Sequence, residues 1–564
     1  MFKKIFFVQT RRERIIFVTA FVAAIISGTI LFGLELIKST RTVPASGGAY
    51  TEGFLGQPIY ANPVIAASEI DKTIVRLVFS NLNDLADKIE PAPDGKTWKI
   101  RLRENLRWQD GEKLTSDDII FTVQKIQDRE TASPLSNAWQ GVAAQRLSEL
   151  EFQFSLINPY AFFSDTLKNL YILPKHLFAD TPPSNWRLSD YNLNPIGSGP
   201  YKFFSYDKRA DGFIKSYELR AWDKYFGEVA LIEKFSFQFF AKFDDLIKSF
   251  NSGQVDGVIG LEPENLTQIK RPYEIFPFRL SNYYAVFLNQ SKSVPLKDAA
   301  VRNALNLLAD RANLITAALG GHGRSASGPI PEGNPLFGQI NQEPTSSMEQ
   351  ITEDASTTTP PAGRLDLVSS TLNAAGWKMN EDGVREKTIG STKIPLELNL
   401  VVPQINFLQK TAELLRNTWQ KAGIKINLII QLPEEIRRST VKNRDYEMLL
   451  FGNVLGRGSD LFSFWHSSER FHPGLNLALY NNKKADTLIE SIRQNLDNEK
   501  RLEQFNDLQK LIMGDVPAIF LYSPDYIYIA DKNLRGLEAG EIAEPADIFT
   551  ATNKWYLKTA RVLK

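Results

Sequence analysis

The sequence predicts an α/β protein of more than one lobe, set behind a single N-terminal transmembrane helix. Three observations predict it. The chain has 564 residues, too many for one hydrophobic core. Segments of period-two apolar alternation take turns along it with segments whose apolar residues recur every three or four positions, the patterns of half-buried strands and amphipathic helices. Residues 15–37, IIFVTAFVAAIISGTILFGLELI, form one long apolar run near the start.

At about 1.5 Å per residue such a run crosses the ~30 Å hydrocarbon layer of a bilayer. Lys3, Lys4, Arg11, Arg12 and Arg14 precede it, so the positive-inside rule leaves residues 1–14 cytoplasmic and sends the rest outside. A cleaved signal peptide would carry a shorter apolar core of about 7–15 residues. Val43-Pro44-Ala45-Ser46 offers a poor cleavage site, and the length of the run favours an uncleaved anchor. Residues 38–48, with Pro44, Gly47 and Gly48, read as a polar linker.

Residues 94–126 carry the densest local signal. After the turn pair Asp94-Gly95, Trp98, Ile100 and Leu102 alternate with Lys99, Arg101 and Arg103, one dry face and one wet. A second turn pair, Asp110-Gly111, predicts a hairpin. Thr115 then stands three residues before Asp118, a capping-box arrangement, and Ile119, Val123 and Ile126 fall on one helical face. The wording of this segment, DGKTWKIRLRENLRWQDGEKLTSDDIIFTVQKI, resembles the family 5 extracellular solute-binding proteins, the peptide- and nickel-binding components of ABC importers. That resemblance implies an α/β, two-lobed, periplasmic-binding-protein-like fold of type II, with an extra subdomain in the first lobe.

The remaining segments follow in order. AYTEGFLGQPIYANPV (49–64) resembles the family's first strand, along the cleft floor, and residues 71–82 the helix after it. Residues 83–195 match the extra subdomain. His176, in YILPKHLF (171–178), is expected to pack structurally. NPIGSGPYKFFSYD (194–207) resembles the return to the main sheet; it lacks the GK[ST] ending of a phosphate loop, and Gly95-Lys96-Thr97 lacks the earlier glycine. Phe235, Phe237 and Phe239 alternate as a strand, followed by a helix, a glycine stop and a second strand through residue 260, a βαβ unit. The resemblance sets the first lobe at 49–277, the second at 278–514 and a return to the first at 515–564. In 282–315 it extends through Arg302 and Asp310-Arg311, whose expected roles are pairing and capping. Residues 340–364 are poor in large apolars, so burial cannot offset an ordering entropy of about 1–2 kcal/mol per residue; a flexible loop is expected. Beyond it come strands at 395–403 and 424–431, helices at 404–421 and 501–513, and a strand from 517 to 530 that crosses back between the lobes.

Composition excludes several functions. Sixty-six basic residues balance 65 acidic ones, which gives no electrostatic case for nucleic acid. Cysteine is absent, so disulfides, thiolate catalysis and lipid attachment through a cysteine are ruled out. No GxSxG or HExxH motif occurs, no catalytic residue is assigned, and no cofactor is expected. His466 and His472 lack the pattern of a metal site.

Function is expected at the interlobe cleft. YEMLLFG (446–452) is an apolar strand that runs into a loop whose Gly452, Gly456 and Gly458 permit close approach. This loop resembles the family's cleft loop, in which peptide-binding members place an early Asp on the ligand's amino group. That position falls at Leu455 or Gly456 here, neither acidic. Asn453, Arg457, Asp460 and Trp465 are the leading ligand-binding candidates, with Tyr50, Glu52, Tyr283 and Tyr284 from the bordering strands behind them. The resemblance implies a membrane-anchored protein, its main domain extracellular or periplasmic, that captures a solute, foremost a peptide, and passes it to a permease–ATPase complex. The alternative expectation is a sensor or scaffold that keeps the fold without transport.

Overall fold

The structure, a computed structural model, describes residues 10–331 and 362–563. Its organising element is the strand Ala518–Asp531, fourteen residues long. Residues 518–522 pair antiparallel with Asn282–Leu288, and residues 525–531 with Tyr273–Leu280. The two halves of one strand therefore belong to two halves of the molecule, joined in a single thirteen-stranded sheet. The second crossing lies beside it, where Leu280, Ser281 and Asn282 link the same two neighbours. Ser523 Oγ donates to Asn282 Oδ1 at 3.0 Å and ties the crossings together.

On the first side the order continues through Gly257–Leu261, Ala49–Leu55, Lys234–Phe240, Ile214–Ala221 and Tyr201–Lys208. Ala49–Leu55 lies between the two strands of the expected βαβ unit and runs parallel to both. Phe235, Phe237 and Phe239 are all buried, as their alternation predicts. On the second side the order is Asn282–Leu288, Met448–Val454, Glu397–Pro403 and Lys425–Gln431, the last three parallel to one another. Alternate residues of Asn282–Leu288 feed opposite faces. Val286 and Leu288 join Leu398, Leu305 and Trp419, whereas Tyr283, Ala285 and Phe287 join Trp465, Phe505 and Leu508.

Residues 94–126 form a strand, Thr97–Leu102, and a helix, Ser116–Gln127. Trp98, Ile100 and Leu102 are buried. The capping box is present: Thr115 N–H donates to Asp118 Oδ2 at 2.9 Å. The other Asp118 oxygen accepts from Lys175 N–H at 3.0 Å, which docks the 171–178 segment. The expected hairpin differs. Thr97–Leu102 pairs with Ala86–Pro91 and Glu151–Ser155 in a separate four-stranded sheet, and Asp110-Gly111 closes only an Arg107–Lys113 bridge. The cause is Gln109, which turns inward, donates to Tyr201 O and accepts from Gly197 N–H.

The helix expected over 71–82 runs instead over Glu69–Val78, because Ser68 caps it and the 197–199 turn stops it. Gly199 N–H donates to Val78 O at 2.8 Å. A Cβ on Gly197 would lie 1.9 Å from that carbonyl oxygen, so only glycine fits. His176 rests near Trp108 with Nε2 2.7 Å from Asp110.

The 38–48 stretch differs most from expectation. The apolar helix extends over Arg11–Ser39 and passes directly into a strand, Thr40–Ala45, that pairs antiparallel with Lys558–Leu563. A sequence read locally reveals one strand of such a ribbon but not a partner some 500 residues away. Of the expected flexible loop, residues 340–361 lie outside the described residues; its last three positions belong to the helix Ala362–Ala374.

Candidate functional site: the interlobe cleft

Three segments distant in sequence converge between the lobes. The strand Met448–Val454 delivers the loop that follows it; opposite stand the first turns of helix Glu69–Val78 and the start of the 3-10 segment Pro545–Lys554. Together they enclose a cavity of 590 Å³, whose walls include Glu69, Lys72 and Glu544 on one side and Leu455, Gly456 and Asp460 on the other. That volume is in the range of small-ligand sites.

Charged pairs bridge the cleft. Arg457 reaches Asp547 at 2.7 Å, and Asp547 is already held by Arg76 at 3.1 Å. Arg76 and Lys72 both pair with Glu544. A second bridge centres on Asp460, whose Oδ2 accepts from Tyr160 Oη at 3.0 Å and lies 3.1 Å from Arg493 Nε. Its Oδ1 accepts from Phe462 N–H at 3.1 Å and fixes the loop. Gly458 sits against the opposite lobe, where a Cβ would stand 3.1 Å from Phe162.

Of the eight expected residues, Asp460 lines the cavity and Arg457 spans the cleft beside it. Asn453 and Trp465 lie beneath the loop: each donates to Tyr283 Oη, at 2.9 and 3.2 Å, and all three are buried. Tyr284, half-buried, packs edge-on to Phe407. Tyr50 and Glu52 are fully buried in the first lobe, joined through Tyr528. Burial pushes the Glu52 carboxyl well above the usual carboxylate range, against the hydrogen bond that Tyr528 donates at 2.7 Å. Among the described residues its Oε1 has no hydrogen-bond partner.

Sequence reasoning missed Glu69, Lys72 and Glu544. Glu69 accepts from Tyr526 Oη at 2.6 Å, and burial raises its carboxyl above the ordinary value. A signal existed for the first two: Ser68-Glu69-Ile70-Asp71 is a helix start, and ligands gather near such ends in α/β sheets. Glu544 carries a signal of the same kind, since Pro545 and Asp547 mark a helix start directly behind it. Among the described residues, no three His, Asp or Glu side chains cluster as a metal site.

A sheet shared by two lobes, closing charged walls over a cavity, defines a two-lobed solute-binding protein. Residues 82–471 match the bacterial extracellular solute-binding proteins, family 5, and the chain belongs to that family. It is similar to the oligopeptide-binding protein AppA of Bacillus subtilis, 23% identical over 538 residues, 92% of this chain and 93% of that one. It is also similar to the dipeptide-binding protein of Escherichia coli, 23% identical over 90% of this chain and 96% of that one. Among solved structures, the ABC transporter substrate-binding protein CtaP of Listeria monocytogenes superposes with a TM-score of 0.74 at 22% identity, covering 91% of this chain and 99% of its own. Bacillus subtilis AppA in complex with a nonapeptide gives 0.67 at 22%, covering 92% and 100%.

Proposed function

We propose that this protein captures a peptide between its lobes and delivers it to the permease of an ABC importer, acting as a binding protein rather than an enzyme. The observation that carries the reading is the 590 Å³ cavity with carboxylates on both walls, Glu69 and Glu544 facing Asp460, and one ammonium, Lys72. A zwitterionic solute suits such walls, its ammonium end toward the carboxylates and its carboxylate toward Lys72. Curated relatives named for oligopeptide and dipeptide binding support the class of solute.

Within this reading Asp460 contacts the solute directly, Arg457 completes closure, and Asn453, Trp465 and Tyr283 hold the loop in position. Tyr284, Tyr50 and Glu52 support the strands beneath. The lobes are 49–277 with 515–564, and 278–514, with the extra subdomain at about 83–195. The helix within 11–39 keeps the domain on the outer face of the cell membrane; its apolar side chains from Ile15 to Leu34, and Ile37, are exposed, which suits lipid.

Native mass spectrometry of the full chain in detergent tests the proposal. Peptides are expected to remain bound and to leave on substitution of Asp460 by Asn. A chain that retains no peptide, and whose melting temperature no peptide library raises, would sink it.

A further inference from the structure

The ribbon that joins Thr40–Ala45 to Lys558–Leu563 has no evident support. Every residue of Lys558–Leu563 is exposed, and an isolated two-stranded ribbon is marginal in water. Its register sets Leu563 opposite Thr40 and Val562 opposite Arg41, directly after the helix Arg11–Ser39. Its other end meets the first lobe, where Gly47 N–H donates to Leu231 O at 2.8 Å. At about 3.3 Å per residue, six pairs span roughly 20 Å between helix and lobe. Arg41, Lys558 and Arg561 are exposed along it, as is Lys38 in the last turn of the helix, and neither strand contains an acidic residue.

We propose that Lys558–Leu563 is a lipid-contacting foot. Val562 and Leu563 enter the interfacial zone of the outer leaflet beside the helix, while Lys38, Arg41 and Arg561 hold lipid phosphates. The partner is a bilayer bearing anionic headgroups, and the foot sets the height and bearing of the binding domain above it. The argument is continuity and charge. When the helix spans the bilayer, residues 38–41 emerge at headgroup depth, and the pairing carries 561–563 to the same depth. Basic groups are drawn to an anionic surface, and exposed apolar tips beside them suit the interface. This rests on the anchoring reading above.

The absence of cysteine makes a clean test. The full chain, reconstituted in nanodiscs of phosphatidylglycerol and phosphatidylcholine, takes an environment-sensitive dye at Leu563→Cys, at Gly28→Cys within the helix, and at Leu188→Cys, 84% exposed and outside both helix and ribbon. Nitroxide-bearing lipids should quench positions 28 and 563 strongly and leave 188 unaffected. Replacing Lys38, Arg41 and Arg561 by Gln should cut quenching at 563 at least twofold while 28 is unchanged. Quenching at 28 with none at 563 overturns the foot and leaves the anchor standing. No quenching at 28 overturns both. Equal quenching at 563 with and without the three charges overturns the role of the phosphates, and equal quenching in pure phosphatidylcholine overturns the call for anionic headgroups.

Discussion

Arg457 and Asp547 meet at 2.7 Å across the cleft, one from each wall, although 90 residues separate them. Asp547 does not depend on Arg457 for neutralisation, since Arg76 holds it from its own lobe at 3.1 Å. The cross-cleft pair can thus break on opening without stranding a buried carboxylate, and closing regains it. Arg457→Gln should leave the melting temperature of the empty protein nearly unchanged. A partly exposed pair contributes about 1 kcal/mol, so peptide affinity should weaken by roughly fivefold. Titration calorimetry checks this, and an unaltered affinity would show that closure does not use the pair.

Trp465 acts through the loop it supports. It is fully buried, and its Nε1–H donates to Tyr283 Oη. Trp465→Ala should lower stability by about 3–5 kcal/mol, the cost of emptying a large aromatic site. Trp465→Phe keeps most of the packing and loses one hydrogen bond, about 1 kcal/mol. Denaturant unfolding distinguishes the two, and equal losses would mean that packing is not what Trp465 supplies.

Gly197 should tolerate no side chain. The nearest atom to an added Cβ is a backbone carbonyl, that of Val78, which cannot rotate away. Gly197→Ala should therefore cost about 3 kcal/mol or more. Gly212→Ala provides the contrast, because it strains a positive φ but meets nothing within 4 Å; it should cost roughly 1–2 kcal/mol. A Gly197 variant as stable as wild type would refute the close contact.

Glu52 makes stability fall as pH rises. Its folded pKa is raised, by burial above all, so the folded state holds a proton that the unfolded chain releases near an ordinary value of about 4.3. Stability is greatest below that value and declines above it, up to the folded pKa. Glu52→Gln mimics the protonated form and can still accept from Tyr528. The variant should melt higher than wild type at pH 7.5 and equally at pH 4, with a shallower slope between. A lower melting temperature at pH 7.5 would mean that the carboxylate is stabilised where it lies.

Much of the fold was legible because its signals are local. The alternation at 97–102, the Thr115–Asp118 box and the Phe235, Phe237, Phe239 ladder each depend on neighbours within a few residues, and each appears as read. The site was less legible. Asp460 and Arg457 could be named because one loop carries both, but the facing wall is drawn from residues 69–72 and 543–546, and convergence of that kind leaves no spacing to read. Tyr50 and Glu52 show the same limit from the other direction: an alternating strand states that one face is dry, and only the sheet order tells which. Gly257, where an added Cβ would collide with Tyr50, Glu52 and Tyr528, belongs to a strand about 200 residues later.

The crossing strand Ala518–Asp531 also bears on the order in which the chain can be made. Synthesis delivers Ala49–Leu55 and Gly257–Leu261 early, yet the pairing edge of Gly257–Leu261 stays open until residues 527–530 emerge. Trp555 and Phe549, which pack around Tyr50 and Phe235, arrive later still. Neither lobe can finish on the ribosome ahead of the other. Both wait, with sheet edges prone to pairing elsewhere, for the final tenth of the chain.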